Sequence, residues 1–236
     1  MKKNLSISIL LPHCDDELFV LPFIEKKISE GYIVNVFFLI EASVVRQKES
    51  EKLLSKYSLV NVFHFGTIHK IPDGKISEHQ EIVFSLLKSD EKIISASSII
   101  TPAFEGGHVD HDEIFLIGHQ LLRNLNKTHL CFSTYNSYKT PFVRVSKIYK
   151  GIMDGEFEQV NFSLLDGMRY LFQCFYFKSQ FIILAILFPG LIRTFLFKRK
   201  IELLRVTSFD SKATHPGKIF YQNDLKKKMK AFLMVQ

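Results

Sequence analysis

The chain has 236 residues, 47% hydrophobic and 23% charged: enough apolar material for one sizeable core and too much for global disorder. A formal net charge of +7 favours anionic partners such as phosphates, acidic glycolipids or a membrane surface without selecting among them, and no nucleic-acid-binding signature accompanies it. The three cysteines, Cys14, Cys131 and Cys174, are odd in number and far apart, which argues against a disulfide framework and for a reducing, cytoplasmic compartment.

Residues 6–11 form a short apolar, β-branched run that reads as a buried strand, too short for a signal-peptide core. Residues 15–31 read as a helix with acids in its first turn, Pro22 early and Gly31 as its stop. A strand is expected over 33–40, a helix over 46–57 and a third strand over 59–65. Pro72-Asp73-Gly74 is a turn signal. A helix over 77–87, a strand over 98–101, a helix over 110–125 and a strand over 129–135 follow. This alternation predicts one Rossmann-like α/β domain with a mostly parallel sheet flanked by helices. The α/β core is expected over 1–145. A more helical C-terminal region, 146–236, is expected to complete the pocket.

Residues 181–192 are almost wholly apolar, but Pro189-Gly190 interrupts them, and a membrane span needs about 20 apolar residues. They read as a buried helix, with a membrane-surface contact over 181–200 and a true anchor as alternatives. The run 226–228 of three lysines reads as a solvated helix face.

Two polar segments carry the chemistry. Each follows a buried strand and opens a helix, so both are expected on the carboxyl rim of the sheet, where open α/β folds bind ligands. The first is His13-Cys14-Asp15-Asp16-Glu17. Histidine and carboxylate are the usual nitrogen and oxygen ligands of Zn²⁺. Neighbouring aspartates point apart, so one is expected on a metal and the other towards its water. Helix capping is the plainer alternative. It explains one acid, but not a histidine followed by three.

The second runs from Glu105 through Gly106, Gly107, His108, Val109, Asp110 and His111 to Glu113. His111 would complete a His-Asp-His zinc site with His13 and Asp16. His108 is then free for acid–base or oxyanion work, oriented by Asp110. The alternative is a polar loop with surface histidines.

Taken together, Pro-His-Cys-Asp-Asp-Glu at 12–17 and Gly-His-Val-Asp-His-Asp at 107–112 resemble the paired signatures of the PIG-L/LmbE family of zinc-dependent N-deacetylases. Looser echoes are Arg46 with Glu49, residues 72–74, 176–180 and 215–221. The resemblance implies His13, Asp16 and His111 as zinc ligands, with Fe²⁺ or Co²⁺ also acceptable to such a site. It implies Asp15 as general base, His108 as the group acting on the tetrahedral intermediate, Asp110 as its orienter and Arg46 as a substrate contact. The implied reaction removes the N-acetyl group of an amino sugar or glycoconjugate. The alternatives are a catalytically weakened glycan- or lipid-binding member of the same fold, or a zinc amidase acting on a non-sugar substrate.

The chain departs from the family pattern at Cys14, which replaces a proline, and at 20–22 and 40–42, where the usual glycines are missing. Gly106 and Gly107 stand where some relatives place a tyrosine. Cys14 reads as a small packed residue. His64, His69, His79, His119 and His129 show no partner pattern and read as surface or core histidines. His215, before Pro216-Gly217, reads as shaping a turn.

Overall fold

The computed structural model describes residues 5–136, 143–148 and 152–210. Five strands, β1 (Ser6–Leu11), β2 (Ile33–Phe38), β3 (Val60–Phe63), β4 (Ser98–Pro102) and β5 (Thr128–Phe132), run parallel in the order β3-β2-β1-β4-β5. Successive side chains of a strand leave on opposite faces, and each face has its own apolar layer. Ile9, Leu11, Val36 and Phe38 pack with Phe23 of α1 (Leu21–Ser29) and Leu53 of α2 (Val44–Leu54). Leu10, Phe37 and Ile99 face the other way, against Val83 of α4 (Gln80–Ser89) and Ile117 and Leu121 of α6 (Val109–Leu125). The short α3 (Phe65–His69) and α5 (Glu91–Ser95) complete this part. The Rossmann-like α/β reading therefore holds.

The expected helix over 15–31 is split. Residues Asp16–Phe19 form a 3₁₀ turn, and α1 begins at Leu21 with Pro22 in its first turn. Proline has no N–H to donate to a preceding turn but fits a helix start.

Beyond β5 come the small antiparallel pair β6 (Tyr135–Asn136) and β7 (Arg144–Val145). Then follow β8 (Met153–Asn161), α7 (Leu164–Gln173), α8 (Phe181–Ile192) and β9 (Lys200–Phe209). The C-terminal region thus brings two helices, as expected, and also the two longest strands. β9 pairs antiparallel with β5, and β8 lies outside it, giving seven strands in one sheet. The acids Asp154, Glu156 and Glu158 disguise β8 in the sequence, and charge is what an exposed sheet edge carries to discourage further pairing.

The 181–192 segment is a helix, but only one face is buried. Leu184, Leu187 and Leu191 pack inward, each stabilising the contact by about 1.5–3 kcal/mol. The remaining face points outward, and just 28% of the most apolar window in Lys178–Lys198 is buried. The expectation of a fully buried helix is corrected accordingly. His215 and the 226–228 lysines lie outside the described residues.

Candidate metal centre

The loop after β1 is tightly folded on itself. The Asp16 amide donates to the His13 carbonyl at 3.3 Å, and the His13 amide donates to Asp16 Oδ2 at 3.0 Å. Asp15 sits at φ 127°, a backbone region that a residue with a side chain adopts only under constraint. Part of that constraint is Glu17, whose Oε2 accepts the Asp15 amide at 2.8 Å.

This turn presents His13 and Asp16 to the first turn of α6. His13 Nδ1 lies 3.2 Å from Asp16 Oδ2, and His111 Nε2 lies 3.2 Å from Asp16 Oδ1. One donor atom from each of His13, Asp16 and His111 falls within 4.8 Å of the others. The other nitrogen of His111, Nδ1, meets Thr134 Oγ1 at 2.9 Å, which fixes the ring. Its Nε2 is buried and has no hydrogen-bond partner among the described residues. A buried imidazole nitrogen facing a carboxylate oxygen at 3.2 Å fits a divalent cation. Two nitrogens and one carboxylate are also the donor set of a catalytic site with an open coordination position.

Asp15 is held by Arg46. Its Oδ1 accepts from Arg46 Nη2 at 2.9 Å, and the same nitrogen donates to the Cys14 carbonyl at 3.0 Å. Burial and the Asp16 charge push Asp15 up to about 7, against the pull of Arg46 and His13. Burial opposes ionisation of Asp16, but His111 and His13 outweigh it and hold that carboxyl below the usual range. Burial draws His13 down, yet Asp16 and Asp73 outweigh it and push the imidazole up to about 10. The two carboxylates thus stabilise a proton on His13.

His108 caps α6: its Nδ1 accepts the Asp110 amide at 3.2 Å. Burial, with the charges of His13 and His111, holds it down at about 3. The ring is neutral, and with Nδ1 accepting, its proton sits on Nε2. The Asp110 carboxylate lies 3.7 Å from His108 Nδ1, too far for a hydrogen bond. It accepts instead from the amides of Gly74 at 2.7 Å and Ile76 at 3.3 Å. Asp110 thus fixes His108 through its backbone and fixes the 73–76 turn through its side chain.

That turn supplies a residue the sequence reading left unassigned. Asp73 Oδ1 lies 3.1 Å from His13 Nε2, and His13, Asp73, His108 and Asp110 form a second group of potential ligands. Pro72-Asp73-Gly74 was visible as a turn signal; its destination was not. Thr134 and Tyr135, whose ring centre lies 5.5 Å from that of His111, carry no motif at all. Gly107 makes room for them, since a β-carbon there would stand 2.2 Å from the Tyr135 carbonyl oxygen.

The remaining singled-out residues are structural. Cys14 is fully buried, and burial pushes its thiol up; His64 Nδ1 is 4.0 Å from its sulfur and His64 Nε2 pairs with Glu51 at 2.9 Å. His64 therefore has partners the sequence did not announce. His129 is buried and contacts Thr101 Oγ1 at 2.9 Å. Glu49 accepts from the Ser179 hydroxyl at 2.5 Å and the Ser179 amide at 3.0 Å, tying the start of α8 to α2, the helix that carries Arg46.

No protein-family model and no curated protein matches the chain. Solved structures do. A teicoplanin-pathway deacetylase triple mutant aligns over 88% of this chain and 100% of its own at 13% identity, with a TM-score of 0.62. The A40926 pseudoaglycone deacetylase aligns over 88% and 99% at 14% identity, with a TM-score of 0.61. The N,N'-diacetylchitobiose deacetylase of Pyrococcus horikoshii aligns over 79% and 75% at 14% identity, with a TM-score of 0.52. The chain shares its fold with these deacetylases.

Proposed function

We propose that the protein is a metal-dependent N-deacetylase acting on an N-acetylated amino sugar or glycoconjugate. The observation that carries this reading is the convergence of His13, Asp16 and His111 donor atoms within 4.8 Å of one another, with Asp15 beside them. The fold shared with sugar and glycopeptide deacetylases supports it, and a zinc-inhibited form of the teicoplanin deacetylase is among the similar structures. His13, Asp16 and His111 would hold the ion, Zn²⁺ in the first instance, with Fe²⁺ or Co²⁺ acceptable to the same donors. When bound, such an ion supplies Lewis acidity, acidifying water and polarising an amide carbonyl.

The residues divide the remaining work. Asp15, poised near neutrality by burial, takes a proton from the attacking water. Arg46 fixes the orientation of that carboxylate, a role we assign to it in place of direct substrate contact. His108, neutral with its proton on Nε2, donates a hydrogen bond to the oxygen that becomes negative as water adds to the acetyl carbon. A new C–O bond forms, the C–N bond breaks, and the proton held by Asp15 passes to the departing amine. Acetate and a free amino group result. Three free, buried cysteines support a reducing, cytoplasmic setting.

The test is metal analysis of purified protein together with acetate release from a panel of N-acetyl sugars and N-acetyl amino acids. Stoichiometric divalent metal and release from sugars alone is the expected result. Release from the amino acid derivatives alone would make it a non-sugar amidase, and a protein that takes up no divalent ion would overturn the mechanism.

A further inference from the structure

The outward face of α7 and α8 is unlike the rest of the surface. Phe172, Phe175, Phe181, Ile182 and Ile186 are each between 57% and 76% exposed. Phe175 and Phe181 also wall a cavity of about 390 Å³ with Lys178 at its edge. Monomeric soluble proteins rarely leave so many large apolar side chains together in water. A helix that is apolar all round is normally buried on every side, yet α8 buries only its Leu184, Leu187 and Leu191 edge.

The stretch of chain that builds this face carries only cations, of which Arg169 is paired with Glu25 and Asp166 and Lys200 with Glu202. From Gly167 to Ile201 there are six Lys or Arg and no Asp or Glu. Lys178 precedes α8; Arg193, Lys198, Arg199 and Lys200 follow it. Lys52 and Lys56 of the neighbouring α2 side stack on Tyr176, 5.2 and 4.2 Å from its ring centre. Apolar side chains bounded by cations are the pattern that inserts among acyl chains while pairing with anionic headgroups. A second copy of the chain would bring the same cations against each other, so it matches the face less well.

We propose that the α7–α8 face docks on the surface of an anionic bilayer, with α8 lying in the plane of the interface. Crossing the membrane would require α8 to leave the core through its three buried leucines, and Gly190 packs against Val145, where even a β-carbon would stand 2.4 Å from Val145 Cγ2. The Glu49–Ser179 contact links this face to α2, and Arg46 links α2 to Asp15, so the docked face adjoins the metal loops. The proposal does not depend on the identity of the reaction.

The chain contains no tryptophan, which makes Ile182→Trp a unique reporter. The full-length protein is floated with phosphatidylcholine vesicles with and without phosphatidylglycerol, at low and high salt. Binding to the anionic vesicles, weakened by salt and stripped by alkaline carbonate, is expected, with a blue shift of the Ile182→Trp emission only when those vesicles are present. Ile182→Asp with Ile186→Asp should lower binding about tenfold or more without changing the melting temperature; Ile182→Ser serves if the double variant does not fold. Flotation with neither vesicle, or carbonate-resistant insertion, overturns the proposal. So does an already blue-shifted emission in a dimer detected by light scattering, which would assign the face to a second copy.

Discussion

Asp73 Oδ1 stands 3.1 Å from His13 Nε2, while the opposite ring nitrogen of His13 faces Asp16. One imidazole is thus held between two carboxylates, and only one of them belongs to the proposed ligand set. A metal-bound histidine generally gives its second N–H to such a carboxylate, which fixes its tautomer and raises its basicity. Asp73→Ala should weaken divalent-metal affinity by about 10–100-fold, measured by competition with a chromophoric chelator. An unchanged affinity would mean that Asp73 merely shapes its turn.

Asp15 and the proposed ligands separate by readout. Asp15→Asn can still accept from Arg46, so it should bind metal with wild-type stoichiometry while turnover drops by about 10²–10⁴-fold. His111→Ala should lose the metal itself. Equal metal loss in both variants would contradict the division of roles between adjacent aspartates.

The proton that the carboxylates favour on His13 competes with a cation. His13 is pushed up to about 10, so between pH 6 and 8 each bound ion must displace one proton. Apparent metal affinity should rise about tenfold per pH unit across that window. A flat profile in chelator competition would remove His13 from the ligand set.

His129 should make the fold sensitive to acid. Burial, with the His119 charge, holds it at about 3 against an ordinary 6.5, and its Nδ1 has no partner among the described residues. A base whose folded value is depressed leaves stability untouched above 6.5. Below that the unfolded chain binds a proton that the folded chain refuses, and stability falls as pH drops towards 3. Between pH 7 and 4.5 this amounts to roughly 2–3 kcal/mol. His129→Gln should narrow the difference in urea stability between those two pH values by that order; an unchanged difference would place the acid sensitivity elsewhere.

Gly107→Ala tests the close approach of the two loops. Its β-carbon would meet the Tyr135 carbonyl at 2.2 Å, and Thr134, which orients His111, is the preceding residue. A loss of about 1–3 kcal/mol is expected from overpacking of this kind, together with weaker metal binding. Thermal melts and metal titration of the same variant report both.

Much of this arrangement is legible in the sequence because it is local or periodic. The apolar runs at 6–11 and 33–40 give the central strands. The three-residue spacing of His13 and Asp16 is closed by one turn, and His111 stands in the first turn of a strongly periodic helix. What escaped is non-local. Asp73 reaches His13 because Asp110, 37 residues later, gathers the amides of Gly74 and Ile76. Arg46 reaches Asp15 from α2, 31 residues on. β8 alternates charges as any exposed segment does, and only its nine-rung register with β9 makes it a strand.

That register has one more implication. Asn161 faces Lys200, and the Phe162 amide donates to the Arg199 carbonyl at 3.1 Å. The whole α7–α8 excursion therefore leaves the sheet and rejoins it at a single rung. Its outward face can be rewritten without shifting any strand out of pairing, while Leu184, Leu187 and Leu191 stay in the core. The proposed docking face and the proposed metal loops are therefore joined through packing and the Glu49–Ser179 contact, not through the register of the sheet.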